Sequence, residues 1–82
     1  MARLTASLYD LRVALEDYTQ AIQLKPDFAQ AHYNRGIFHY ELGDSERANE
    51  DFYNAKNLYH MQGKEEKYQK VLDIIEELQQ ED

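Results

Sequence analysis

The chain has 82 residues, 43% of them hydrophobic, and a formal net charge of -7. That length suits one domain, which would bury about 60% of the surface its unfolded form exposes. The acidic balance and the lack of a basic stripe exclude a phosphate-binding surface, and with it nucleic acid as a partner. The lack of cysteine excludes a disulfide framework and a thiolate site, and it fits a cytoplasmic protein.

Met1 to Leu8 lacks the apolar core of a signal peptide, and no run of 18 apolar residues exists, so no membrane insertion is expected. A first helix is predicted over residues 3–24. Pro26 ends that run, because it has no backbone N–H and disfavours helical geometry at Lys25. Asp27, with Gln30 at capping-box spacing, is predicted to open a second helix over 27–42. Gly43 suits a left-handed stop and Asp44 a new N-cap, which places a third helix at 45–61. Gly63 ends it, and a fourth helix is predicted over 64–80, its Tyr68, Val71, Leu72, Ile75 and Leu78 at helical spacing. No segment alternates with period two, so the expected class is all-α.

Leu8 to Lys25 reappears as Leu42 to Tyr59, 34 positions on: Ala14 matches Ala48, Asp17 matches Asp51, Tyr18 matches Phe52 and Ala21 matches Ala55. Two alanines seven apart with an aromatic between them share one helical face, a surface that another helix can approach closely. Helix, short turn and helix at this period resemble the tetratricopeptide repeat (TPR) family. The family pattern W-x2-L-G-x2-Y, then A-x3-F, then P lies on residues 29–62. Gly36, Ala48 and Phe52 match it, while His32, Arg35, His39 and His60 depart from the Trp, Leu, Tyr and Pro. Ala14, Tyr18 and Pro26 match the second half of a preceding repeat, and the fourth helix looks like a C-terminal cap. The resemblance implies one domain of antiparallel helical hairpins over residues 1–82, an α-solenoid scaffold. Gly36 costs about 1 kcal/mol against alanine within a helix, so a neighbour is expected to cross close above it, with Phe52 as the central packing group.

In this family, function usually lies on a concave face lined by the first helix of each repeat. The resemblance therefore implies a non-catalytic interaction module whose groove, formed by Gln30, Tyr33, Asn34, Ile37, Tyr40 and Glu41, binds a peptide or helix of a protein partner. The alternatives are that this strip is covered by the fourth helix or by a second subunit. One subclass of the family binds C-terminal carboxylates through groove lysines and asparagines; here Asn34 alone fits that scheme.

Arg35 is expected to form a structural ion pair, and Glu16-Asp17 and Glu50-Asp51 to be solvated. His32 and His39 lie seven residues apart, about 10.5 Å by helical rise, too far to chelate one metal. His60 has no helical ligand partner three or four residues away. With no phosphate-binding glycine loop and no nucleophile elbow, neither an enzyme nor a cofactor is expected.

The first repeat reads Leu8-Tyr9-Asp10 where the second reads Leu42-Gly43-Asp44, and tyrosine resists the left-handed geometry that glycine accepts. Leu4, Leu8, Leu11, Leu15, Tyr18 and Ile22 then step by four and three along one continuous helix, a coiled-coil rhythm. A homodimer through this seam is predicted, and a self-assembling unit or a piece of a longer array is the second functional reading. The opposing possibility is a bend near Tyr9 that folds the first helix back within a monomer.

Overall fold

The computed structural model describes residues 8–80. Four helices follow one another: α1 (Leu8–Leu24), α2 (Ala29–Glu41), α3 (Ser45–Met61) and α4 (Glu65–Gln80). No strand occurs among the described residues. The expected start of the first helix at residue 3 and Leu4 of the seam lie outside them.

Each connection is a few residues long, so successive helices return against one another as antiparallel hairpins. α1 packs on α2, α2 most extensively on α3, and α3 on α4. Gly43 and Gly63 take positive φ angles of 84° and 76°. Asp44 N–H reaches back to His39 C=O while Gly43 N–H reaches Tyr40 C=O. Lys64 and Gly63 repeat that pattern on Tyr59 and His60, so each left-handed glycine closes its helix with a paired reverse bond. Asp44 then opens α3, its Oδ1 accepting the Arg47 N–H at 3.1 Å.

The start of α2 is a correction. Asp27 was expected to cap a helix beginning there, but the N-cap is Phe28, which makes no side-chain cap bond. Pro26 and Asp27 instead occupy the centre of a turn closed by Phe28 N–H on Lys25 C=O at 3.0 Å. Proline pre-set for that turn takes Asp27 out of capping position. Gln30, freed from a capping box, donates from Nε2 to Asn34 Oδ1 at 3.0 Å.

Leu8, Tyr9 and Asp10 are helical, so among the described residues the glycine turn of the second repeat has no counterpart in the first. The core gathers Ala48, Phe52, Ala55 and Tyr59 of α3 with Val71 and Ile75 of α4 and Ala29 of α2. Gly36 lies under the α3 crossing: a Cβ there would stand 2.9 Å from Phe52 Cε1 and 3.2 Å from Ala48 O. The glycine is required because the aromatic ring occupies the space of its missing side chain.

Candidate functional site

The six expected groove residues all stand on α2, where Tyr33 and Tyr40 flank the face of buried Ala29 and Gly36. They differ in exposure. Tyr33 and Ile37 are half-buried and pack against the core, the Tyr33 ring 5.9 Å from that of Phe52. Asn34 is half-buried, whereas Gln30, Tyr40 and Glu41 are exposed.

Gln30 is fixed from two sides. Besides its bond to Asn34, its Oε1 accepts the Tyr59 hydroxyl at 3.1 Å. Burial, and then the neighbouring Tyr33, raise the Tyr59 pKa, so this hydroxyl stays a donor at neutral pH. Gln30, Tyr33 and Tyr59, with Lys67, Lys70 and Val71, border a hollow of about 120 Å³ between α2, α3 and α4. Tyr40 and Glu41 lie beyond it. α4 therefore borders the Gln30 and Tyr33 end of the strip.

A second polar cluster lies between α1, α2 and α3. Arg35 Nε donates to Asp51 Oδ2 at 2.9 Å and Nη2 to Asp51 Oδ1 at 2.7 Å, while Nη1 donates to Thr19 Oγ1 at 3.2 Å. His39 Nε2 stands 3.8 Å from the same carboxylate. The Asp51 hydrogen bond raises the Arg35 pKa despite its partial burial. Arg35 is thus the structural ion pair expected of it. Asp51 corrects the reading of Glu50-Asp51 as a solvated pair, for it is 2% exposed. The helical spacing held the signal: position 51 is three after Ala48 and four before Ala55, on the buried face.

The seam residues divide. Leu11 is buried, and Tyr18 stacks on Phe38 of α2 with ring centroids 5.7 Å apart. Leu15 and Ile22 are half-buried and Leu8 is 56% exposed. Part of the seam therefore serves the chain's own α1–α2 contact.

Of the histidines, His32 is buried and donates from Nε2 to Pro26 C=O at 3.0 Å, and its buried Nδ1 has no hydrogen-bond partner among the described residues. His60 lies against the Tyr68 ring and 3.4 Å from Glu65 Oε2. Among the described residues, no group of three or more His, Cys, Asp or Glu is placed to hold a metal ion.

Four helices packed in succession as antiparallel hairpins give an all-α, solenoid-like fold. Residues 10–43 match the family model of the TPR repeat. The matched segment spans α1 from Asp10, all of α2 and the turn at Gly43, so it begins on the second helix of one repeat and ends on the first helix of the next. No curated protein and no solved structure matched the chain.

The sequence reading missed Tyr59, Val71, Lys67 and Lys70 as neighbours of the strip. Their one visible signal was the three-residue spacing of Lys64, Lys67 and Lys70.

Proposed function

We propose that this protein is a non-catalytic adaptor of the cytoplasm. Its α2 strip, formed by Gln30, Tyr33, Asn34, Ile37, Tyr40 and Glu41, takes a peptide or helix of a partner protein. The repeat family supports protein interaction in general. The hollow bordered by Tyr33, Tyr59 and Val71 supports the Gln30 and Tyr33 end of this strip, since it is a recess of mixed polar and apolar lining with the Gln30 amide held at its rim by the Tyr59 hydroxyl. At about 120 Å³ it falls below the roughly 300–1,000 Å³ of a cofactor pocket and suits a single side chain. The lack of cysteine suits a reducing compartment, and no helix among the described residues is long and apolar enough to cross a membrane. A pull-down with Tyr33→Ala and Tyr40→Ala tests the strip. The partner should be lost with helicity and oligomeric state unchanged, and retention of the partner refutes the assignment.

A second reading, homodimerisation through α1, rests on comparison of the two repeats. In α3, Ala48, Phe52 and Ala55 are at most 2% exposed. Their counterparts Ala14, Tyr18 and Ala21 on α1 are only half-buried, and Asp17, counterpart of buried Asp51, is exposed. α3 lies between two helices and α1 packs mainly on one, so the strip that α2 covers on α3 is left part-open on α1, beside the exposed Leu8, Tyr9 and Val13. A second copy seated there buries an apolar edge that a soluble monomer seldom presents. Light scattering decides between the states. A monomeric mass at micromolar concentration, unchanged by Leu8→Glu with Leu15→Glu, excludes the dimer.

A further inference from the structure

The chain is acidic overall, with 9 Lys and Arg against 16 Asp and Glu, yet its cations are unevenly spread. Lys67 and Lys70 border the hollow beside Tyr33, and a second cavity of about 280 Å³ adjoins it through Gln30, Tyr59 and Lys67 and adds Lys25 and Lys64. Four of the nine cationic residues thus rim one trough between the start of α2, the end of α3 and the start of α4. One acid, Asp27, lines it with them.

Other cations are engaged elsewhere. Arg35 is paired with Asp51, Arg47 with Asp44, and the Lys56 ammonium lies 4.9 Å from the Tyr53 ring centre. Among the described residues, none of the four trough lysines enters an ion pair. Their acidic neighbours on α4 are Glu65, which stands beside His60, Glu66, and Asp73, which accepts from Gln69. A cluster of like charges that the fold does not neutralise is a surface complementary to an anion.

We infer that this trough receives an acidic, extended segment of a partner protein, its Asp or Glu side chains meeting Lys64, Lys67 and Lys70 while an apolar side chain seats between Tyr33, Tyr59 and Val71. The inference rests on the groove reading above and names the chemistry of the partner. Lys67 and Lys70 stand about 4.5 Å apart along the helix axis. Acids two positions apart on one face of an extended segment are about 6.8 Å apart, a difference that the flexible lysine stems absorb. Nucleic acid fits less well. The trough has no arginine, Tyr59 is buried and Tyr33 half-buried, so no open ring is offered for base stacking, and the remaining charge of the chain repels a long polyanion.

The test uses the full chain and a displayed library of random dodecapeptides, followed by fluorescence anisotropy of the enriched sequences as C-terminally amidated synthetic peptides. Enriched peptides should be net acidic. They should bind at least tenfold more weakly to Lys67→Glu with Lys70→Glu, and less than twofold more weakly to Lys56→Glu, which changes charge away from the trough. Binding should also weaken as salt rises from low to physiological strength. Enrichment of neutral or basic peptides, no enrichment, equal loss in Lys56→Glu, or equal affinity for a dodecathymidylate overturns the inference. A binding requirement for a free terminal carboxylate also overturns it. Should neutral peptides bind, survive the lysine reversals and be lost with Tyr33→Ala and Tyr40→Ala, the groove reading stands while the acidic partner is refuted.

Discussion

Replacing Gly36 with alanine tests the closest contact in the fold. The new Cβ would meet Phe52 Cε1 at 2.9 Å, Phe52 Cδ1 at 3.0 Å and Ala48 O at 3.2 Å. Carbon pairs in proteins rest at about 3.5–4.0 Å, so at least half an ångström must be found. The Phe52 ring is only 2% exposed and has no room to swing, and the Ala48 carbonyl belongs to the α3 backbone. Overpacking of this kind costs about 1–3 kcal/mol, while the better helix propensity of alanine returns about 1 kcal/mol. The net expectation is a loss of about 0–2 kcal/mol, or roughly 4–8 °C in melting temperature for each kcal/mol at this chain length. The informative measurement is the cycle with Phe52→Leu. Removing the ring edge relieves the two closest contacts and leaves only that with Ala48 O at 3.2 Å, so Gly36→Ala should cost less or become neutral in that background, a coupling of about 1–2 kcal/mol. Urea and thermal melts followed by far-UV circular dichroism read all four proteins. A higher melting temperature for Gly36→Ala on the wild-type background, or additivity within about 0.5 kcal/mol, refutes the close crossing.

Arg35→Leu leaves the Asp51 carboxylate buried without its fork, and a loss of about 3–5 kcal/mol is expected by urea melts. Arg35→Lys should fall between it and wild type, because an ammonium cannot reproduce the two parallel bonds. Phe52→Ala should destabilise by about 3–5 kcal/mol; an unchanged melt would mean that the ring is not the central packing group. Asp44→Ala tests the α3 cap. The Arg47 backbone N–H, then the Arg47 side chain, hold the Asp44 pKa below its ordinary 3.8, so the cap's contribution is complete above that value and fades as pH falls through the lower folded-state value. The melting difference between wild type and Asp44→Ala should therefore be fully present at pH 6 and shrink toward pH 2, and a difference that grows on acidification contradicts the capping role. Zinc or nucleotide, added to millimolar concentration, should leave the melting temperature unmoved, and a saturable rise of several degrees would speak for a ligand site.

Local chemistry governed much of what could be read along the chain. The repeat of 34 residues, the turns at Gly43 and Gly63 and the span of α3 depend on spacing and on residues that tolerate positive φ, and those signals lie within a few positions of one another. Gly36 and Phe52 were legible as partners because a helix-interior glycine has few reasons to exist other than close approach. Tertiary structure decided the rest, where the deciding partner is remote in sequence. Asp51 resembles a surface acid beside Glu50 until Arg35, 16 residues earlier, folds onto it. Asp27 has the spacing of a cap, but the Lys25–Phe28 turn uses it otherwise. Lys25 joins Lys64 and Lys67 only because the turn into α2 and the turn into α4 meet at the same end of the hairpin stack. Packing also determined which seam residues remain open on α1, since the helical period that aligns Leu8, Leu11 and Tyr18 is the same whether α2, a second copy or solvent covers them.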